Sequence, residues 1–463
     1  MKEFQKALFL FRRDLRLNDN TALINALVRS KTVITAFIFT PEQIRKNPYR
    51  SDRCVQFMIE SLIELAKELH QKSGRLCLFE GPYDAIVSRC IDELKIDAIF
   101  VNRDYTPYSQ KRDLKLNQLC KRYNIPFFSY DDSLLNRPEN LLKADGKPYT
   151  IFTPYFKKAS TIEVGRPQPN THTNYNSSII KFAKNVSFLD SLLPKNASHQ
   201  IITGSRSACL HILQDLRSFR AYAKLRDFPA EQGCTHLSAY LKFNLCSIRE
   251  IYHAIREELG KHSELLRSLY WRDFFSQIAL FFPHVFQGAY RPQFDRIKWS
   301  YDKKAFRLWC EGNTGFPIVD AGMRELNATG FMHNRVRMIA GSFLIKDLHI
   351  DWRWGEKYFA QKLIDYDPSL NNGNWQWIAG TGTDAQPYFR IFNPWNQQKK
   401  FDPNCVYIKT WIPELQTANS KQIHNRHSTT SNDDYPPPML DHTAEAKKAL
   451  AQYRRAMPRA KKA

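Results

Sequence analysis

The first 135 or so residues alternate short apolar runs with longer amphipathic ones, and this limits the fold more than any other feature. The runs Ala7–Phe11, Val33–Phe39, Leu76–Phe79, Ala98–Val101 and Pro126–Tyr130 are rich in β-branched and aromatic residues. Between them, Arg53–His70 and Ser109–Tyr123 have the spacing of helices. Strands separated by helices imply βαβ units and a doubly wound parallel sheet. From about residue 206 the apolar period becomes that of helices. Ser247-Ile248-Arg249-Glu250 is a capping box, and Gly260 closes the helix it opens. No strong strand signal follows. The expected architecture is α/β plus all-α: a parallel-sheet domain over 1–135, a polar inter-domain linker over 136–205, and a helical domain over 206–463.

The formal net charge is +22. A chain this basic is expected to meet a polyanion, with nucleic acid the first candidate and a merely solvated basic surface the alternative. The tail Ala446–Ala463 has seven basic residues and no acidic ones, and reads as a mobile or DNA-seeking end. Nine cysteines are scattered without a CxxC pair. This argues against a disulfide framework or a metal site and for a reduced cytoplasm. No apolar run approaches the roughly 20 residues needed to span a bilayer. A cytoplasmic monomer with no membrane contact is expected. Phe11-Arg12-Arg13-Asp14-Leu15-Arg16 follows the first strand where a Gly-x-Gly-x-x-Gly would stand, so a Rossmann-type dinucleotide site is disfavoured there.

The chemistry concentrates in Asn371–Pro394, where Trp375 and Trp377 flank Gln376 behind a run of small amides. Two indoles this close among few aliphatics suit base stacking or one-electron transfer. Upstream, in order, stand Arg226-Asp227-Phe228-Pro229, Trp271-Arg272-Asp273-Phe274, Thr314-Gly315-Phe316-Pro317-Ile318-Val319-Asp320-Ala321-Gly322-Met323-Arg324, His333-Asn334-Arg335-Val336-Arg337-Met338 and Asp365-Tyr366-Asp367. In joint order and spacing the chain resembles the photolyase/cryptochrome family, and most of all its class I cyclobutane-pyrimidine-dimer photolyases. The resemblance covers essentially the whole chain.

That resemblance implies an FAD cofactor. Tyr222 and the segment Cys234-Thr235-His236-Leu237-Ser238 match its phosphate-holding residues, although Cys234 stands where a hydroxyl residue is usual. Arg337 and Asp365 match an ion pair beside the flavin ring, with Tyr366 and Asp367 following, and Asn371 matches the residue facing flavin N5. Trp375, Trp352 and Trp299 match an electron relay, with Trp299 expected as its partly exposed terminus. On the DNA side, Trp271 and Trp377 match the indole walls of a pocket for a flipped lesion. Arg272 falls in the same motif as Trp271. Asn334 and Met338, four apart on one helix face, match pocket residues. Arg335 and Arg390 match phosphate contacts. Ser268 departs from the glutamate usual there, which puts lesion preference in question. His333-Asn334 departs from the histidine pair of six-four photolyases.

The same family often carries an antenna chromophore in its first domain. Tyr108 and Ser109 replace the residues of folate-type enzymes, leaving deazaflavin, another flavin or no antenna open. The expected function is light-dependent repair of damaged DNA, in which excited reduced FAD splits a pyrimidine dimer, a carbon–carbon lyase reaction. The alternatives are a cryptochrome-like blue-light receptor without repair, and a basic DNA-binding protein whose tryptophans are structural.

Overall fold

The computed structural model describes residues 2–45, 47–193, 202–231, 233–426 and 434–457. Five parallel strands, Phe4–Phe11 (β1), Ser30–Phe39 (β2), Leu76–Glu80 (β3), Ala98–Asn102 (β4) and Phe127–Tyr130 (β5), form one sheet in the order β3-β2-β1-β4-β5. β1 is central, pairing Leu8 with Ile34 on one side and with Ile99 on the other. Its residues from Ala7 to Phe11 are all buried, as a strand covered on both faces requires. The expected helices appear at Asp52–Gln71 and Pro107–Arg122. Two more, Thr21–Arg29 and Tyr83–Leu94, were not anticipated. The first runs straight into β2, Ser30 being both its C-cap and the first strand residue. No loop marks that change of period.

By contact, the chain forms two compact units. One comprises Met1–Tyr149, Thr153–Ser218 and His236–Leu280; the other comprises Thr150–Phe152, Phe219–Thr235 and Phe281–Ala463. This division differs from a boundary at 205/206, because the helices in 236–280 are held to the sheet by buried charge. Asp132, wholly buried after β5, accepts from Arg16 at 2.7 Å and from Arg249, on the helix Ile248–Leu259, at 2.8 Å. Arg249 also bonds Asp19 at 2.8 Å. The segment expected as a linker is likewise anchored. Tyr175 bridges to Val33 of β2, and Asn170 Nδ2 donates to Leu17 O at 3.0 Å and to Tyr175 Oη at 2.8 Å.

The second unit is helical around a core containing Trp299, Trp309, Trp352 and Trp375. The helix Asn334–Ser342 continues into a π-helical turn, Phe343–Asp347. The basic tail corrects the expectation of a mobile end. His442–Ala456 is a helix with Ala449, Tyr453 and Ala456 buried, and His442 Nδ1 lies 2.5 Å from the buried Asp347. Residues 458–463 of that tail lie outside the described residues. Among the described residues, no helix is long and apolar enough to cross a membrane.

Burial opposes ionisation of Asp132, yet the field of Arg16 and Arg249 outweighs it and holds the carboxyl below the usual range. A depressed folded value means stabilisation that is complete above the ordinary carboxylate range and lost only as pH falls through the folded value. Asp132→Asn takes the carboxylate partner from buried Arg16 and leaves Arg249 with Asp19 alone, and should cost about 3–5 kcal/mol. The unfolding midpoint near neutral pH tests this; a change within error would refute it.

Candidate functional site

The helix Pro368–Ala379 organises the chemistry of the second unit. Asp367 caps it, accepting from Ser369 N at 2.9 Å and Leu370 N at 3.2 Å, and Pro368 takes the first-turn position where no N–H is missed. Asn371 and Trp375, four apart, share the buried face; Trp377, two residues further, turns away and is half-buried. The small amides are hydrogen-bonding parts. Asn371 Nδ2 donates to Glu356 O at 2.9 Å, and Asn372 Nδ2 to Val285 O at 3.0 Å and Glu356 Oε1 at 3.1 Å. Gln376 Nε2 reaches Val285 O at 2.9 Å and Asn372 Oδ1 at 3.1 Å, while its Oε1 accepts from Tyr290 N at 2.8 Å. Trp375 lies close against Gly355, where a Cβ would sit 2.2 Å from the indole Cη2.

Glu356 is the site residue that sequence reasoning missed. Burial pushes its carboxyl from the ordinary 4.5 up to about 7, with the Asn372 hydrogen bond and Arg353 acting against the rise. The available signal was its position four after Trp352, on one helix face. Alone, that pattern is ordinary.

Arg337 and Asp365 form the expected pair, with Nη2–Oδ2 at 3.0 Å and Nη1–Oδ1 at 3.3 Å, and Arg337 Nε donates to Met332 O at 2.7 Å. The carboxylate side of this two-pronged pair is almost wholly buried. Tyr366 packs partly buried on the same core. On the helix Asn334–Ser342, exposed Asn334 places Nδ2 4.0 Å from Met338 Sδ, so these two do share a face. Arg335 is paired with Asp227 at 2.9 Å, its guanidinium 4.3 Å from the Phe401 ring centroid. Arg390 is exposed. Tyr222 opens a short helix with the Arg226 guanidinium 5.4 Å from its ring centroid. Burial raises the Cys234 thiol to about 11, Arg337 and Arg226 opposing and Glu325 adding. Thr235 is buried, His236 caps the helix Leu237–Lys242 at φ +55°, Leu237 is buried and Ser238 is exposed.

In the first unit, the helix Glu264–Phe281 carries Ser268, Trp271, Arg272 and Asp273. Half-buried Trp271 stacks on Phe275 at 5.6 Å. The Ser268 hydroxyl donates back to Glu264 O at 2.9 Å. Arg272 corrects its expected place among the DNA-side residues. It is buried, donating to Ser133 O at 2.6 Å and Leu241 O at 3.4 Å, and it anchors the helix. Beside it, burial raises Asp273 to about 7, against Arg272 and the N–H groups of Leu135 and Asn136. In the antenna region, Tyr108 is exposed, and the Ser109 hydroxyl is engaged with Asp104 at 3.0 Å and Thr106 at 2.9 Å.

Of the three expected relay tryptophans, all lie in one core. Trp299 corrects the expectation of a partly exposed terminus. It is only 9% exposed, because Tyr453 of the C-terminal helix meets it edge-on at 6.3 Å. Its indole N–H is buried without a hydrogen-bond partner.

Residues 7–172 match the family model described as DNA photolyase, and residues 265–455 match that of the FAD binding domain of DNA photolyase. The deoxyribodipyrimidine photo-lyase of Vibrio cholerae is 37% identical, over 96% of this chain and 98% of its own. An archaeal photolyase from Sulfolobus tokodaii, solved with two FAD molecules, superposes with a TM-score of 0.89 at 42% identity, covering 97% of this chain and 100% of that one. A bacterial class III photolyase from Agrobacterium tumefaciens superposes with a TM-score of 0.91 at 32% identity, covering 98% of each chain.

Glu356 yields a pH test. Its folded pKa lies above the ordinary value, so the folded state binds the proton more tightly and stability falls as pH rises from about 4.5 to about 7. Glu356→Gln keeps an acceptor for Asn372 and removes the titration. Its unfolding midpoint should pull ahead of the parent between pH 5 and pH 8, by on the order of 3 kcal/mol at most. A pH-independent difference would contradict this.

Proposed function

The chain belongs to the DNA photolyase family and carries that family's FAD-binding domain, and we propose that it is a light-driven lyase that splits cyclobutane pyrimidine dimers in damaged DNA. The observation carrying this reading is the helix Pro368–Ala379, which directs Asn371 and Trp375 to a buried face and Trp377 to the other. One helix thereby offers a polar amide and an oxidisable indole on one side and a stacking surface on the other.

The donor set fits a flavin dinucleotide. Arg337 and Asp365 neutralise one another while presenting a guanidinium edge to a polar ring system. Asn371 spends its N–H on Glu356 O, leaving its amide oxygen as the acceptor for flavin N5–H. Thr235 and Ser238 supply hydroxyls for the phosphates, with Tyr222, Cys234, His236 and Leu237 completing that stretch, and Tyr366 and Asp367 flank the ring side. When bound, reduced FAD excited by light lends one electron to the dimer and recovers it, so no net redox change occurs.

The remaining roles belong to the chain itself. Trp271 and Trp377 stack on the extruded bases. Asn334 and Met338 meet the base edges, and Arg335 and Arg390 bind phosphate and set salt dependence. Trp375, Trp352 and Trp299 are the relay that would bring an oxidised flavin to its reduced, repair-competent state. We assign the second, antenna chromophore to residues 1–135, with a flavin the first candidate because the Sulfolobus relative holds two FAD molecules. The chain is read as a cytoplasmic monomer. A cryptochrome-like receptor is the second reading. It is favoured by Ser268, whose hydroxyl proton is committed to Glu264 O where a carboxyl would reach the dimer.

Anaerobic photoreduction followed by illumination with a dimer-containing oligonucleotide separates the two. Recovery of thymine ultraviolet absorbance is expected; flavin reduction without recovery would establish the receptor reading instead. Trp271→Ala and Trp377→Ala should each weaken binding of that oligonucleotide by about 1–3 kcal/mol while flavin content is retained. Undiminished affinity in both would remove the stacking role.

A further inference from the structure

We propose that Lys346 is a positioning residue for lesion binding: it holds the two backbone carbonyls that fix the segment 379–390, and so sets where Arg390 meets the DNA; this rests on the repair reading above. Lys346 lies in the π-helical turn Phe343–Asp347 and is 1% exposed. Its Nζ donates to Ala379 O at 3.3 Å and to Tyr388 O at 3.5 Å, and it sits 3.4 Å from the ring centroid of Tyr453. Among the described residues no carboxylate pairs with it, and burial pushes the amine well below the usual lysine value. A leucine or methionine would fill this place without that penalty. The amine is kept for the carbonyls it reaches, to which it donates in either protonation state.

Those carbonyls are the two ends of one loop. Ala379 O belongs to the last turn of the helix Pro368–Ala379, where carbonyls have no partner inside the helix, and Tyr453 Oη donates to it as well, at 2.6 Å. Gly380, at φ +76°, turns the chain away, and Thr381 N and Gly382 N return to Gln376 O at 3.0 Å and 3.1 Å. Tyr388 then comes back to the same amine, its ring stacked with that of Tyr453 at 5.8 Å. Around it, Arg390 N donates to Pro387 O at 2.9 Å and Gln386 Nε2 donates to Arg390 O at 2.6 Å. This turn carries Phe389, 63% exposed, and exposed Arg390. An exposed arginine grips phosphate best when its backbone is already in place, because ordering a loop on binding subtracts from affinity.

The two contacts are not equivalent. Without the amine, Ala379 O keeps Tyr453 Oη, so the end of the helix bearing Trp375 and Trp377 stays held. Among the described residues, Tyr388 O has no other side-chain donor, and the turn with Arg390 is released. A change at Lys346 therefore reaches DNA binding and leaves the flavin side alone.

The test uses the full flavoprotein and a dimer-containing oligonucleotide, with affinity read by fluorescence anisotropy and repair by single-turnover illumination of the saturated complex. Lys346→Met is expected to keep parental flavin content and photoreduction and to repair the bound dimer at the parental rate. Its binding should be about tenfold weaker. In an Arg390→Ala background the same change should weaken binding by no more than about twofold, since the group it positions is gone. Lys346→Gln, shorter than lysine, goes through the same cycle with the same expectation, and stands in where Lys346→Met does not retain flavin. Unchanged affinity in both Lys346 variants, slower repair of the bound dimer, or an equal loss with and without Arg390 overturns the inference while leaving dimer repair standing. A parent that does not distinguish the dimer oligonucleotide from an undamaged one overturns the repair reading and the inference with it.

Discussion

The carboxylate of Asp132 between Arg16 and Arg249 is the interaction on which the first unit depends. All three groups lie at the carboxyl ends of the strands or on the helix Ile248–Leu259, far apart in sequence and packed out of water. A buried charge is tolerated only when paired and hydrogen-bonded, and Asp132 also accepts from Thr21 N and Oγ1. Removing Asp132 takes the carboxylate from wholly buried Arg16, whereas Arg249 keeps Asp19. The triplet therefore ties helices late in the chain to a sheet formed early. Arg272 and Asp273 extend the same device, bonding the backbone at Ser133 and Leu135 just beyond Asp132. The helix carrying Trp271 is held in place through these contacts.

The second unit uses neutral groups for the equivalent task. Asn371, Asn372 and Gln376 occupy the inner face of one helix and satisfy carbonyls at Val285 and Glu356. Buried amides are costly unless each polar atom finds a partner, and here they bond one another and the backbone. The result is a stiff polar wall behind Asn371 that carries no fixed charge, apart from a Glu356 carboxyl held partly protonated by burial. Such a wall keeps Trp375 close to Gly355 and Phe359 and leaves Trp377 free to face outward.

Much of this was legible in advance. β-Branched and aromatic runs located all five strands to within a few residues, because a strand buried on both faces has little choice of composition. The ordered motifs located Arg337 with Asp365, and Asn334 with Met338, since each pair needs particular residue types. Other features were not legible. Arg272 reads as a surface arginine within a DNA-side motif, and only packing shows its guanidinium spent on carbonyls. Trp299 sits in a basic, exposed-looking segment, but a tyrosine more than 150 residues later covers it. The tail reads as a solvated basic run because Lys447, Lys448, Arg454 and Arg455 face solvent while Ala449, Tyr453 and Ala456 face the core.

Local chemistry and periodicity, which sequence carries, determined the α/β-then-helical order, the family and the ordered motifs that supply its candidate site residues. Tertiary structure alone decided which of them are accessible, which are neutralised and which rings touch. Those properties depend on distances between segments remote in the chain: Tyr453 over Trp299, Asp132 between two arginines, Trp309 against Trp375. Burial raises or lowers a charge, and ring contact opens or closes an electron path, only once such segments have met.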